Sequence, residues 1–143
     1  MSSDNNILIN YLLEHENNFD IILEKIALDT LSSEGIKNQT LSLSFVDDNF
    51  IRDLNKKYRN KDTATDVLSF SLNEDNILGD IVISISTAER NAEKYGNTLL
   101  KELCKLVVHG TLHLLGYDHE IEDEAKVMED KEEYCLCKFM GDQ

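Results

Sequence analysis

The sequence has no apolar run near the roughly 20 residues of a membrane-spanning helix, which excludes that class of integral membrane protein. Its first residues, MSSDNNILIN, lack the basic flank and apolar core of a secretory signal, so the cytoplasm is the expected compartment. Proline is absent, and there is no low-complexity tract, internal repeat or stretch that reads as a linker. The expectation is therefore one domain over residues 1–143, a length at which a core forms without staples. Cysteine is scarce and odd in number: Cys104, Cys135 and Cys137. Without an export signal they argue against a disulfide framework. Cys135 and Cys137, two apart on a helix, point to different sides and are read as core or surface thiols, not a metal pair.

Basic residues are also few. Fourteen Lys and Arg stand against 28 Asp and Glu, a net charge of -14. The long-range field of such a chain repels nucleic acid and excludes a general nucleic-acid coat, so any phosphate contact has to be local. One segment meets that demand. RDLNKKYRNK, residues 52–61, gathers Arg52, Lys56, Lys57, Arg59 and Lys61 against a single acid, Asp53.

Periodicity then orders the chain. ILINYLL, residues 7–13, reads as a first strand. Phe19, Ile22, Leu23, Ile26, Ala27 and Leu31 recur at helical spacing up to Gly35. TLSLSFV, residues 40–46, alternates apolar and polar as a half-buried strand does. Asp47 or Asp48 caps the next helix, whose Ile51, Leu54 and Tyr58 are expected to face the core while Arg52, Lys56 and Arg59 line another face. DVLSFS and LGDIVISI read as a hairpin across the polar turn LNEDN. Ser86 and Glu89 form a capping box for a helix ending at Gly96, and Thr98 opens another that runs to Gly116. From about Glu120 a charged helix carries Ala125, Met128, Leu136 and Phe139. The implied class is α+β, a mixed sheet of four strands beneath a helical layer.

Histidine is scarce as well, with four in the chain. Three of the four occur within VVHGTLHLLGYDHE, residues 107–120. His109 and His113 are four apart on the last turns of an apolar helix and so share a face. Gly116 follows where a left-handed cap lets the chain turn back, and His119 lies just past it. Three neutral imidazoles with a fourth position open are the arrangement of a catalytic zinc site; nickel or copper also suits imidazole. His15, alone in an acidic stretch, reads as an ordinary polar residue. The spacing H-x3-H-x2-G-x2-H is that of metzincin peptidases, but Gly110 stands where their general-base glutamate belongs, which makes peptide hydrolysis the second reading.

HGTLHLLGYDH resembles the signature HGxLHLxGYDH of the YbeY family of bacterial rRNA maturation factors. LNKKYRNKDTATDVLSFS, residues 54–71, is similar to that family's second motif and LGDIVIS, residues 78–84, to its third, in the family's order. The resemblance implies a metal-dependent, single-strand-specific endoribonuclease acting in rRNA processing at the 3′ end of small-subunit rRNA and in ribosome quality control. The expected partners are single-stranded RNA, the small ribosomal subunit and ribosomal proteins, with no membrane. It also implies a zincin-like hydrolase fold with about four strands and about five helices, and one divalent ion per chain, zinc first and nickel second, on His109, His113 and His119. Arg59, in the YR of the second motif, and His109 are the implied catalytic residues. Where the family has PTDVLSFP this chain has Ala64 and Ser71, which puts the local loop geometry in question.

A metal and a guanidinium together can stabilise the charge on a phosphorane without a glutamate base, and Arg59 suits bidentate phosphate contact. Arg52, Lys56 and Lys57 are candidate RNA contacts, with a solvated helix face as the alternative. Asp66, Asp80 and Asp118 are candidates for orienting an imidazole or acting as base, with capping or turn roles as the alternative. Two other classes stand beside the nuclease: a metallopeptidase or other metallohydrolase, and a ribosome-assembly factor with a structural metal.

Overall fold

Helices placed between strands return the chain to the same end of a sheet and make those strands parallel, whereas a tight turn makes them antiparallel. Both occur here. The structure is a computed structural model that describes residues 4–13, 19–117 and 125–133. The chain runs β1 (Asn6–Tyr11), α1 (Asp20–Ser33), β2 (Thr40–Val46), α2 (Asp48–Arg59), β3 (Val67–Glu74), β4 (Ile77–Ser84), α3 (Ile85–Tyr95) and α4 (Leu99–Leu114). A further helix, α5, spans 125–133. The sheet order is β1-β2-β4-β3; β1, β2 and β4 are parallel, and β3 pairs antiparallel on the edge. The class is α+β with a mixed four-stranded sheet, as the sequence implies. His15, Asp118, His119, Cys135, Cys137, Leu136 and Phe139 lie outside the described residues.

Alternation in β2 and β4 divides the burial between two faces. Leu41, Leu43, Phe45, Ile81 and Ile83 pack on one side with Leu23, Ile26 and Leu31 of α1 and Leu103, Val107 and Leu112 of α4. Met128 of α5 joins this cluster. Val46, Leu68 and Val82 pack on the other side with Ile51 of α2. The hairpin turn is tighter than LNEDN suggests. Leu72, Asn73 and Glu74 belong to β3, and only Asp75 and Asn76 turn, both with positive φ (53° and 60°), the geometry that matches the twist of paired strands.

Two local expectations change. The capping residue of α3 is Ser84, not Ser86: β4 runs directly into the helix, and Ser84 Oγ accepts from the Thr87 amide at 3.3 Å. Tyr58 does not face the core; it is 58% exposed, and the buried α2 residues are Ile51 and Asn55. Asp47 is the N-cap of α2, accepting from the Phe50 amide, while Asp48 turns away. Asp48 accepts from Ser84 Oγ and Thr87 Oγ1 at 2.6 Å each and from Arg90 at 2.7 Å, tying the start of α2 to the start of α3.

Burial pushes the Asp48 carboxyl up, but the three hydrogen bonds and the Arg90 charge outweigh it and leave the group below its ordinary value. A carboxyl lowered on folding stabilises the fold above its unfolded value, and the contribution fades as pH falls through the folded one. Asp48→Asn should therefore cost about 1–3 kcal/mol at neutral pH. In urea titrations its gap to wild type should narrow below about pH 4.

Gly110 sets how closely α4 lies on the sheet. A Cβ there would stand 2.8 Å from Ile81 Cγ2 and 3.0 Å from its Cδ1, and Ile81 is fully buried. Gly110→Val should lower the urea midpoint by an amount equivalent to about 2 kcal/mol, because a stiff branched side chain must enter filled space.

Candidate active site

The Thr98 hydroxyl caps α4 by accepting from the Lys101 amide at 3.1 Å, and the helix then runs sixteen residues against the sheet. With Leu103, Leu106, Val107 and Leu112 inward, helical spacing leaves His109 and His113 along one flank. There they line a recess of about 60 Å³ together with Arg59, Val67 and Ser69. The sequence placed Arg59 and these histidines fifty residues apart; the fold brings them to one cavity.

The carbonyls at the end of α4 are met by the following turn: Gly116 donates to His113 O and Tyr117 to Leu112 O, with Gly116 at φ 105°. Tyr117 donates its hydroxyl to Glu34 at 2.7 Å, and Lys131 of α5 reaches the same carboxylate at 3.0 Å. Those contacts anchor Tyr117 and α5 at the C-terminal cap of α1.

Arg59 is the last residue of α2. Asn60 follows in the left-handed conformation (φ 57°), its amide bonded back to Asn55 O. Asn55, only 4% exposed, donates its side-chain amide to Thr63 O at 2.9 Å, and Asp66 O accepts from the Ser84 amide at 2.9 Å. Polar contacts thus hold the loop that carries Ala64. The loop and α4 enclose a cavity of about 340 Å³ whose lining includes Arg59, Lys61, Thr63, Thr65, Asp66 and His109. A larger cavity, about 670 Å³, opens at the turn end of the hairpin around Asn73, Asp75 and Gly116, with no histidine among its described lining residues.

Not every candidate reaches the site. Arg52 gives its Nε to Asp62 at 2.8 Å, and Lys57 lies with Nζ 5.2 Å from the Tyr58 ring centre. Neither these two nor Lys56 lines either histidine cavity; Lys61 does. Helical periodicity could not find Lys61 because α2 has ended before it. Asp80 alternates with the core-facing Ile81 and shares the α2 side of the sheet with Val82, away from α4. Asp66 lines the cavity with His109.

Two acids escaped the sequence reading. Glu132 of α5 places Oε1 2.6 Å from His109 Nδ1. A carboxylate beside Nδ1 fixes the tautomer that carries its proton there and holds the ring in place. Only the packing of α5 reveals it. Glu102, 2% exposed on α4, has its carboxyl pushed up by burial; Lys105 opposes this and nearby Asp66 adds to it. Among the described residues no cluster of three metal-binding side chains occurs. His109 and His113 are two imidazole donors on one recess, which fits two positions of a metal site, and His119 is outside the described residues.

Known proteins share both the sequence and the fold. The family model described as Endoribonuclease YbeY matches residues 9–140. The endoribonuclease YbeY of Desulforamulus reducens is 46% identical, covering 91% of this chain and 94% of the relative. That of Aquifex aeolicus is 50% identical, covering 82% and 81%. The solution structure of TM1509 from Thermotoga maritima superposes with a TM-score of 0.68 at 32% identity, covering 95% of this chain and 90% of that one. By these matches the chain belongs to the endoribonuclease YbeY family.

Proposed function

We propose that this protein is a metal-dependent endoribonuclease that cuts single-stranded RNA in the cleft between Arg59 and the α4 histidines. Family membership gives the reaction class, breakage of phosphodiester bonds within an RNA chain. The observation that carries the reading to particular residues is the shared recess of Arg59, His109 and His113. In this reading the metal ligands are His109, His113 and His119, and residues 1–143 act as one domain. A divalent ion held there, zinc with nickel as the alternative, would supply Lewis-acid stabilisation of charge developing on the phosphate.

The remaining work falls to side chains. Arg59 presents two parallel N–H donors to the scissile phosphate, a fork that lysine lacks. Lys61, lining the same cavity, adds a point charge, and the Thr63 hydroxyl lies on that lining for phosphate or sugar oxygens, while Thr65 donates to Asp66 at 3.4 Å. Glu132 holds the His109 ring in place through Nδ1. Asp66 is placed to hold or pass a proton at the cavity wall. Gly110, at the position of a peptidase base, faces Ile81 and not the cleft, which supports the nuclease over the peptidase reading.

The cell substrate proposed is rRNA, at the 3′ end of the small-subunit RNA, with the small ribosomal subunit and its proteins as partners in the cytoplasm. An acidic surface favours basic ribosomal proteins as the surfaces that bring RNA to the cleft. Among the described residues no helix is long and apolar enough to cross a membrane.

Purified protein should cleave an end-labelled single-stranded RNA, and a chelator should abolish the cleavage. Arg59→Ala should lower kcat/KM by about 100-fold or more, the scale of losing one charge-stabilising donor, with metal content and melting temperature unchanged. Wild-type rates in that variant would remove Arg59 from the reaction. Glu132→Gln should weaken binding of added zinc by about 10–100-fold, measured by competition with a chromogenic chelator.

A further inference from the structure

Tyr58 occupies a position that helical spacing assigns to the core, yet 58% of it is in water. Its ring is nonetheless supported. Phe70 of β3 meets it edge-on, with centroids 5.3 Å apart at 66°. Lys57 Nζ lies 5.2 Å from its centre, and the next residue, Arg59, enters the histidine recess. Aromatic side chains stabilise a fold by burial, so an exposed ring braced from behind and flanked by cations calls for a partner. In a chain of net charge -14 this basic segment is the exception, and its partner is an anion with flat apolar faces.

We infer that Tyr58, backed by Phe70, is a stacking platform for one unpaired RNA base, set beside Arg59 so that the neighbouring phosphate enters the cleft. β3 is the edge strand, with Leu68 and Phe70 toward α2 and Val67 and Ser69 toward the histidines. An RNA strand crossing that edge meets Tyr58 on one side and Arg59 on the other. The faces of a base within a duplex are covered by its neighbours, so this platform accepts single strands and rejects paired ones. Lys57 shifts from the ring to the backbone phosphate as the base arrives. The inference rests on the ribonuclease reading above and assigns its strand selectivity to a residue outside the metal site.

The test is steady-state cleavage of single-stranded RNA by the metal-loaded protein and two variants. Tyr58→Leu keeps an apolar contact with Phe70 but removes the π face, and should raise KM about tenfold or more with kcat within about twofold. Tyr58→Trp should restore KM. Abasic nucleotides scanned along the RNA should reveal one position at which wild type falls to the level of Tyr58→Leu. Unchanged KM in Tyr58→Leu, or equal losses for both proteins at every abasic position, would overturn the platform while leaving the nuclease intact. A wild-type protein that neither binds nor cleaves RNA would instead overturn the nuclease reading and the platform with it.

Discussion

Contact between Gly110 and Ile81 governs most of what surrounds it. Without a side chain at Gly110, α4 settles on β4 closely enough for the Ser69 hydroxyl, on the next strand, to lie 3.4 Å from the Gly110 carbonyl. That depth puts His109 and His113 level with the edge strand, where Arg59 arrives from the opposite side of the sheet. Protein interiors are packed densely enough that one added carbon displaces an element, and the displacement would pass directly to the histidines. The residue that separates this helix from a peptidase's is thus a packing requirement.

The second organising fact is that β3 lies on the sheet edge. An edge strand is narrow enough for residues on its two faces to meet around it, and α2 ends there. Asn60 reverses the chain in the left-handed conformation, and Asn55 holds the returning loop by its side-chain amide. The resulting cleft takes Arg59 from the end of α2, Lys61 from the loop that follows it and His109 from α4, concentrating positive charge on an otherwise acidic molecule. Positive charge in the cleft acts at short range against the long-range field of the chain, and screening by salt weakens the field more than the short-range contacts.

Much of the framework was legible in the residues. The alternation in β2, the spacing of α1 and the Thr98 cap are local properties, and local rules recover them. The errors share a cause. Capping-box spacing points to Ser86 whereas the helix is capped by Ser84, because a strand running directly into a helix leaves no loop to mark the boundary. Helical spacing assigns Tyr58 to the core because it gives a direction along the helix but not where the neighbouring layer ends.

The sequence by itself determined the elements, the shared flank of His109 and His113, and the family, because periodicity and motif spacing act within a few turns of chain. Tertiary structure alone decided which polar groups meet. It brought Glu132 to His109, enlisted Lys61 in place of Arg52, set Asp80 on the far side of the sheet and left Tyr58 in water. Each depends on elements packed together from distant parts of the chain, and the energy of that packing has no local signature.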